Sequence, residues 1–187
     1  MSRRNDNPKQ RLFFALWPDD AVRSELARLA SGGPRGAGRL VPAENLHLTL
    51  AFLGHLDAGT RACVEAAADG ILAGPFELVF TRLGCWPRPR VLWAGTQDTP
   101  AALVELVYAL RGSMTGCGLR AETRPYRAHV TLARKTRVPA DFHAACEPVR
   151  WRADAFDLVE SKTLSAGAHY RRLRRWPLGG GNARRIT

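Results

Sequence analysis

Lysine is scarce in this sequence: Lys9, Lys135 and Lys162 are the only three, so arginine carries nearly all of a formal net charge of +11. A chain this basic suits a polyanionic partner, although arginine richness on a solvated surface gives the same number without one. Long apolar runs are missing as well. No stretch approaches the ~20 residues that span a bilayer, which argues against a membrane partner. Residues 1–6 are polar and lead straight into residues 11–16, an apolar stretch too short for a secretory leader, and a cytoplasmic location is expected. Cysteine is sparse: Cys63, Cys85, Cys117 and Cys146 are widely scattered, with no Cys-x-x-Cys pair. That spacing indicates neither a zinc knuckle nor a disulfide framework and leaves buried thiols as the expectation. No phosphate-binding glycine loop and no dinucleotide fingerprint is present, which removes two familiar nucleotide-binding signatures.

What is there fits one domain of ordinary size. A flexible N-terminus is expected over residues 1–10, a single domain over 11–178 and a flexible tail over 179–187. Residues 12–16 form an apolar run of strand length, followed by Val22, Leu26, Leu29 and Ala30 at helical spacing. Four glycines make residues 31–38 a loop. Residues 46–52 alternate as a strand, with Leu46, Leu48, Leu50 and Phe52 set to bury one face. A helix is expected over 58–72, then strands at 76–80 and 91–94 joined as a hairpin through residues 84–90. Asp98-Thr99-Pro100 opens a third helix with its apolar face on Leu103, Leu106, Val107 and Leu110. Residues 128–133 read as a strand, 140–146 as a short helix at best, and 155–164 and 170–178 as closing strands. Strands and helices mix without a strict βαβ repeat, so the fold class is α+β.

Two segments share a pattern: Asn45-Leu46-His47-Leu48-Thr49-Leu50-Ala51 and Arg127-Ala128-His129-Val130-Thr131-Leu132-Ala133. Five histidines in a chain with about one threonine in seventeen residues give roughly 0.3 His-x-Thr triplets by chance. Two copies, each extended by Leu-Ala on an alternating strand, exceed that. On a strand, residues i and i+2 point the same way about 6.6 Å apart, so each histidine shares a face with its threonine. The alternate residues anchor the other face. A pseudo-twofold pairing of the strands would bring both copies beside one cleft. Without carboxylate or thiolate partners, two histidines make a poor metal ligand set.

These segments carry a resemblance, together with Arg11-Leu12-Phe13-Phe14-Ala15, Pro87-Arg88-Pro89-Arg90-Val91-Leu92-Trp93, Arg124-Pro125-Tyr126 and Ser165-Ala166-Gly167-Ala168-His169-Tyr170. From about residue 11 to 178 the chain resembles the RNA 2′,3′-cyclic phosphodiesterases, also called 2′-5′ RNA ligases, of the two-histidine phosphoesterase superfamily. One departure is Ala128, where relatives usually carry proline. The resemblance implies a bilobal fold with two antiparallel-rich sheets flanking a cleft and helices outside. It also implies hydrolysis of a terminal 2′,3′-cyclic phosphate on RNA, with no metal and no cofactor; a monomer is expected.

Opening a cyclic phosphodiester needs a base for water, an acid for the leaving ribose oxygen and donors for the non-bridging oxygens. Imidazole titrates near 6.5, so near neutrality one histidine can be neutral while the other is protonated. The family pattern implies His47 as the proton donor and His129 as the base, with Thr49 and Thr131 donating to phosphoryl oxygens. Arg134 resembles the family's substrate-binding arginine, but strict alternation sets it opposite His129. Tyr126 and Phe14 are candidates for stacking on a nucleobase. Arg88, Arg90, Arg124 and Arg127 are candidates for steering the RNA backbone. His55, His143 and His169 lie outside the motif and receive no role. Two rival readings share these residues: a 2′-5′ RNA ligase running the same step in reverse, and a non-catalytic RNA-binding domain of the same fold.

Overall fold

In the computed structural model the described residues are 9–179 except 165–166, together with 184–185. In chain order the elements are β1 (Gln10–Leu16), α1 (Asp20–Ser31), β2 (Arg39–Leu40), a 3-10 turn (Ala43–Asn45), β3 (Leu48–Leu56), α2 (Ala58–Asp69), β4 (Phe76–Trp86), β5 (Val91–Thr96), α3 (Ala101–Gly116), β6 (His129–Arg134), β7 (His143–Ala153), β8 (Ala155–Leu164), β9 (Gly167–Pro177) and β10 (Arg184–Arg185). Helices α1 and α2 start where an aspartate can accept from the exposed first turn. Asp19 takes the Val22 N–H at 2.9 Å and Asp57 takes the Thr60 N–H at 2.8 Å, each satisfying a donor that the helix itself leaves unpaired.

Among the described residues the strands make one antiparallel sheet, ordered β10-β9-β8-β1-β3-β6-β5-β4-β7, with β2 also on β6. One continuous sheet therefore stands where two sheets were expected. The β3–β6 junction is a single pair, Leu48 opposite Val130; beyond β3 lie β1, β8, β9 and β10, and beyond β6 lie β5, β4 and β7. The buried helix residues Val22, Leu26, Val64, Leu103 and Leu110 pack in one cluster with Leu12, Phe14 and Leu16 of β1 and with Leu48, Leu50, Val130 and Leu132. Phe13, Ala15 and Val159 form a separate cluster on the opposite face. Helices therefore cover one side of the sheet and leave the histidine side open to other uses.

Four expectations need correction. Residues 140–146 are not helical: β7 begins at His143 and lies along β4, with Ala144 opposite Leu83. Pairing with an otherwise open sheet edge overrides the helical preference of Ala140, Ala144 and Ala145. The β4–β5 hairpin is tighter than expected, because β4 continues to Trp86 and leaves residues 87–90 as the turn. Phe52 does not enter the core and is 67% exposed. Finally, Cys63 and Cys117 form a disulfide between α2 and the end of α3, while Cys85 and Cys146 are free. Helix packing creates that proximity across 54 residues of sequence, which spacing alone does not reveal. In a chain-entropy account such a bridge adds about 4 kcal/mol.

The expected flexible ends lie largely outside the described residues, although Gln10 already belongs to β1 and residues 184–185 pair with β9. Among the described residues no helix is long and apolar enough to cross a membrane.

Candidate active site

Each His-x-Thr-Leu-Ala segment breaks its alternation at the same place. Along β1, Ala15 pairs with Thr49 and Phe14 with Ala51, so Leu50 is the extra residue of a bulge. Along β5, Trp93 pairs with Thr131 and Leu92 with Ala133, so Leu132 is extra. In both copies the bulge turns the leucine and the following alanine into the core, where all four are buried, and reverses the parity of the residues beyond them. The fifth residue after each histidine consequently returns to the histidine face. That residue is Phe52 in one copy and Arg134 in the other. The parity objection to Arg134 is thereby removed, and its charge acts on both His47 and His129.

The junction pair sets the two motifs against each other. One antiparallel step out from Leu48 and Val130 brings His47 toward Thr131 and Thr49 toward His129, all on the face opposite the core. Both rings are fixed from behind in the same way: His47 Nδ1 lies 2.7 Å from the Asn45 carbonyl and His129 Nδ1 lies 2.8 Å from the Arg127 carbonyl. A carbonyl only accepts, so each Nδ1 carries hydrogen and donates, and each Nε2 is left for chemistry.

The surroundings of the rings differ. Trp17 stacks on His47 at 5.3 Å and 4°, Phe13 lies at 5.1 Å, and Tyr170 meets the ring edge-on at 5.0 Å. Burial in this box lowers the His47 pKa to about 4, with the Asn45 hydrogen bond opposing and the charges of Arg134 and His129 adding to the shift. His129 has one close ring, Trp86, edge-on at 4.5 Å. Its pKa is also lowered, by burial first and then by Arg134, against the Arg127 hydrogen bond. Trp86 packs on Trp93 at 5.4 Å, and Trp93 lies across Gly84 and Gly95, where a Cβ on either glycine would collide with its ring. The glycines let a bulky indole lie flat beneath the His129 side of the sheet.

Among the other expected site residues, Thr49 and Thr131 are half-buried on the histidine face. Tyr126 acts as a strut rather than an open platform: its hydroxyl donates to the Thr49 carbonyl at 2.8 Å and its ring lies 6.0 Å from the Arg111 guanidinium. Burial holds its phenol well above the usual range and hence neutral. Phe14 is fully buried against Phe156 and Trp176, so it faces the core and not a nucleobase. Phe13 takes the outward place. Among the described residues no group of three His, Cys, Asp or Glu side chains is arranged to hold a metal ion.

Comparison with known proteins identifies the family. The family model described as LigT like Phosphoesterase matches residues 16–93 and 95–170. The chain belongs to the LigT-like phosphoesterase family. A protein of Escherichia coli (strain K12) named RNA 2′,3′-cyclic phosphodiesterase is 33% identical over 170 residues, 90% of this chain and 97% of the relative. The crystal structure of E. coli LigT complexed with 3′-AMP matches with a TM-score of 0.84 at 32% identity, covering 92% of this chain and 99% of that one. A crystal structure from Thermus thermophilus, of the protein TT0787, gives 0.77 at 26% identity, covering 91% and 98%. In this LigT-like phosphoesterase each matched stretch holds one histidine strand, His47 in the first and His129 in the second. Sequence reasoning missed Trp17, Phe13, Tyr170 and Trp86. The Leu-Trp-Pro step after β1 was a usable signal, because a large ring placed just past a buried strand must lie over its end.

Proposed function

We propose that this chain hydrolyses the 2′,3′-cyclic phosphate at the end of an RNA strand, leaving a 2′-phosphomonoester, by acid–base catalysis from His47 and His129. The observation that carries the reading is the matched pair of Nδ1 hydrogen bonds, which leaves two free Nε2 atoms on either side of one junction. The relatives support the substrate class: the E. coli protein is named RNA 2′,3′-cyclic phosphodiesterase, and E. coli LigT has been solved in complex with 3′-AMP and with phosphate.

In the proposed step the Nε2 lone pair of His129 takes a proton from water as its oxygen attacks phosphorus. The bond from phosphorus to the 3′-oxygen breaks, and His47 Nε2–H protonates that oxygen. Phosphorus stays on the 2′-oxygen, and the two imidazoles return to their starting states through solvent. Thr49 and Thr131 hydroxyls donate to the non-bridging oxygens, and the Arg134 charge offsets the negative charge gathered there. Burial disfavours the His47 cation in the free protein. The bound phosphate supplies the opposite charge that restores it, so protonation of the acid is coupled to substrate binding. Phe52, exposed beside Phe13 at 6.0 Å, offers the open aromatic surface that Phe14 does not.

Product regiochemistry tests the assignment of donor and base. Phosphorus NMR of the product of an oligonucleotide 2′,3′-cyclic phosphate should show the 2′-phosphate. A predominantly 3′-phosphate product would reverse the two histidine roles, and no turnover from pH 5 to 9 would favour an RNA-binding domain.

A further inference from the structure

Strand β9 carries four arginines, and three of them are committed. Arg171 reaches Glu160 at 3.0 Å, Arg174 reaches Asp69 at 2.6 Å, and Arg175 reaches Asp154 at 3.0 Å. Arg172 differs. Its nearest carboxylate oxygen, on Asp157, is 4.0 Å away, and its guanidinium makes no hydrogen bond among the described residues, although it lies over the Trp17 ring at 5.8 Å.

Register places this group on the histidine face. Arg172 is opposite Val159, Tyr170 is opposite Ser161, and Asp157 is opposite Ala15, all on the side of the sheet that holds Phe13. Asp157 is fully buried, and neither of its oxygens has a hydrogen-bond partner among the described residues. The guanidinium nitrogens of Arg175 and Arg172 come only to 3.8 and 4.0 Å of it. A buried carboxylate without a hydrogen bond, behind an unbonded guanidinium, is costly for stability alone. It holds the guanidinium without consuming its donors, on a side chain that is 37% exposed. Tyr170 touches His47, and Arg172 is one strand repeat, ~6.6 Å, further along β9.

We propose that Arg172 grips the internucleotide phosphate on the 5′ side of the cyclic end, so that the site engages an RNA strand and not only its terminal nucleotide. The inference rests on the functional reading above and extends it from the reacting group to the chain that bears it. A planar fork with free donors matches a phosphodiester's two non-bridging oxygens, and the Trp17 ring braces its back while also stacking on His47.

The test compares Arg172→Gln with the unaltered protein on two substrates: a nucleoside 2′,3′-cyclic monophosphate, which has no 5′ neighbour, and a short oligonucleotide with the same terminus. Turnover and binding are both measured, the latter with oligonucleotide and mononucleotide ending in a 2′-phosphate. Expected is a fall of about tenfold in kcat/KM and affinity for the oligonucleotide, a change within about twofold for the mononucleotide, and a salt slope of oligonucleotide binding reduced by about one. Arg172→Lys, which keeps the charge and loses the fork, should fall between. An equal loss on both substrates would mean that Arg172 only props Trp17 against His47, and no loss on either would mean that it faces solvent; each overturns the grip. Selective loss of oligonucleotide binding by a protein that hydrolyses neither substrate would support the grip and overturn the hydrolase reading alone.

Discussion

His47 and His129 sit on strands of the same local sequence, with the same bulge after the same threonine and the same bond from Nδ1 to a carbonyl two residues back. Everything that aims the rings is duplicated. Their surroundings are not: three aromatic rings enclose His47, and one leans on His129. The fifth residue after each histidine also diverges, to an exposed phenylalanine on one side and an arginine on the other. Two proton-transfer groups of one chemical type can perform different tasks only if their environments differ, and here the difference resides in residues outside the repeated motif.

The largest effect that would sharpen this comparison comes from removing each ring. His47→Ala and His129→Ala should each lower turnover by roughly 10²–10⁴-fold with little change in melting temperature, read by steady-state kinetics and thermal unfolding. Near-normal activity in either variant would end that residue's role. Thr49→Ala and Thr131→Ala come next, at roughly tenfold to a hundredfold each, since each removes one donor from a shared cradle. A markedly unequal pair would show that the duplication is broken at the threonines as well.

A test confined to one half is Trp17→Leu. Removing the stacked ring rehydrates His47 and should move its pKa upward from about 4 toward 6.5, with His129 little changed, as followed by NMR titration of both imidazoles. Because both pKa values lie below the ordinary one in the free protein, kcat/KM should reach its maximum on the acid side of 6.5 and fall as pH rises past it. The kcat profile should sit at higher pH, since bound phosphate favours the cationic ring. A titration in which both histidines shift equally in Trp17→Leu would remove the claimed asymmetry. The smallest effect on activity is expected from Cys63→Ser, which should leave turnover at 25 °C unchanged while lowering the melting temperature by about 10 °C.

The duplicated motif was legible because a strand has a two-residue period and because identical five-residue patterns are improbable in a chain with five histidines. The bulges were not legible. A bulge is a relation between two strands, and neither Leu50 nor Leu132 carries a local mark of being the extra residue. For the same reason alternation was extended too far, placing Phe52 in the core and Arg134 on the wrong face. Naming Phe14 as a stacking residue fails for a different cause. The run Leu12-Phe13-Phe14-Ala15-Leu16 is buried on both faces, so its composition does not say which face meets the helices. Cysteine spacing along the chain likewise says nothing about two helices that pack side by side.

The approach to His47 is tied down by the strand of the other histidine. Leu40 is held opposite Ala133, the Val41 N–H donates to the Leu132 carbonyl at 2.8 Å, and Leu48 is held opposite Val130. Residues 41–47 on one chain segment thus answer to residues 131–132 on the other, and the 3-10 turn Ala43–Asn45 takes up the slack. The first histidine hangs on a short loop stitched to the second histidine's strand at both ends. Spacing between the rings is therefore inherited from where those stitches fall and how much chain lies between them. An insertion or deletion in the 3-10 turn itself, none of whose residues is buried, would retune the gap between the rings.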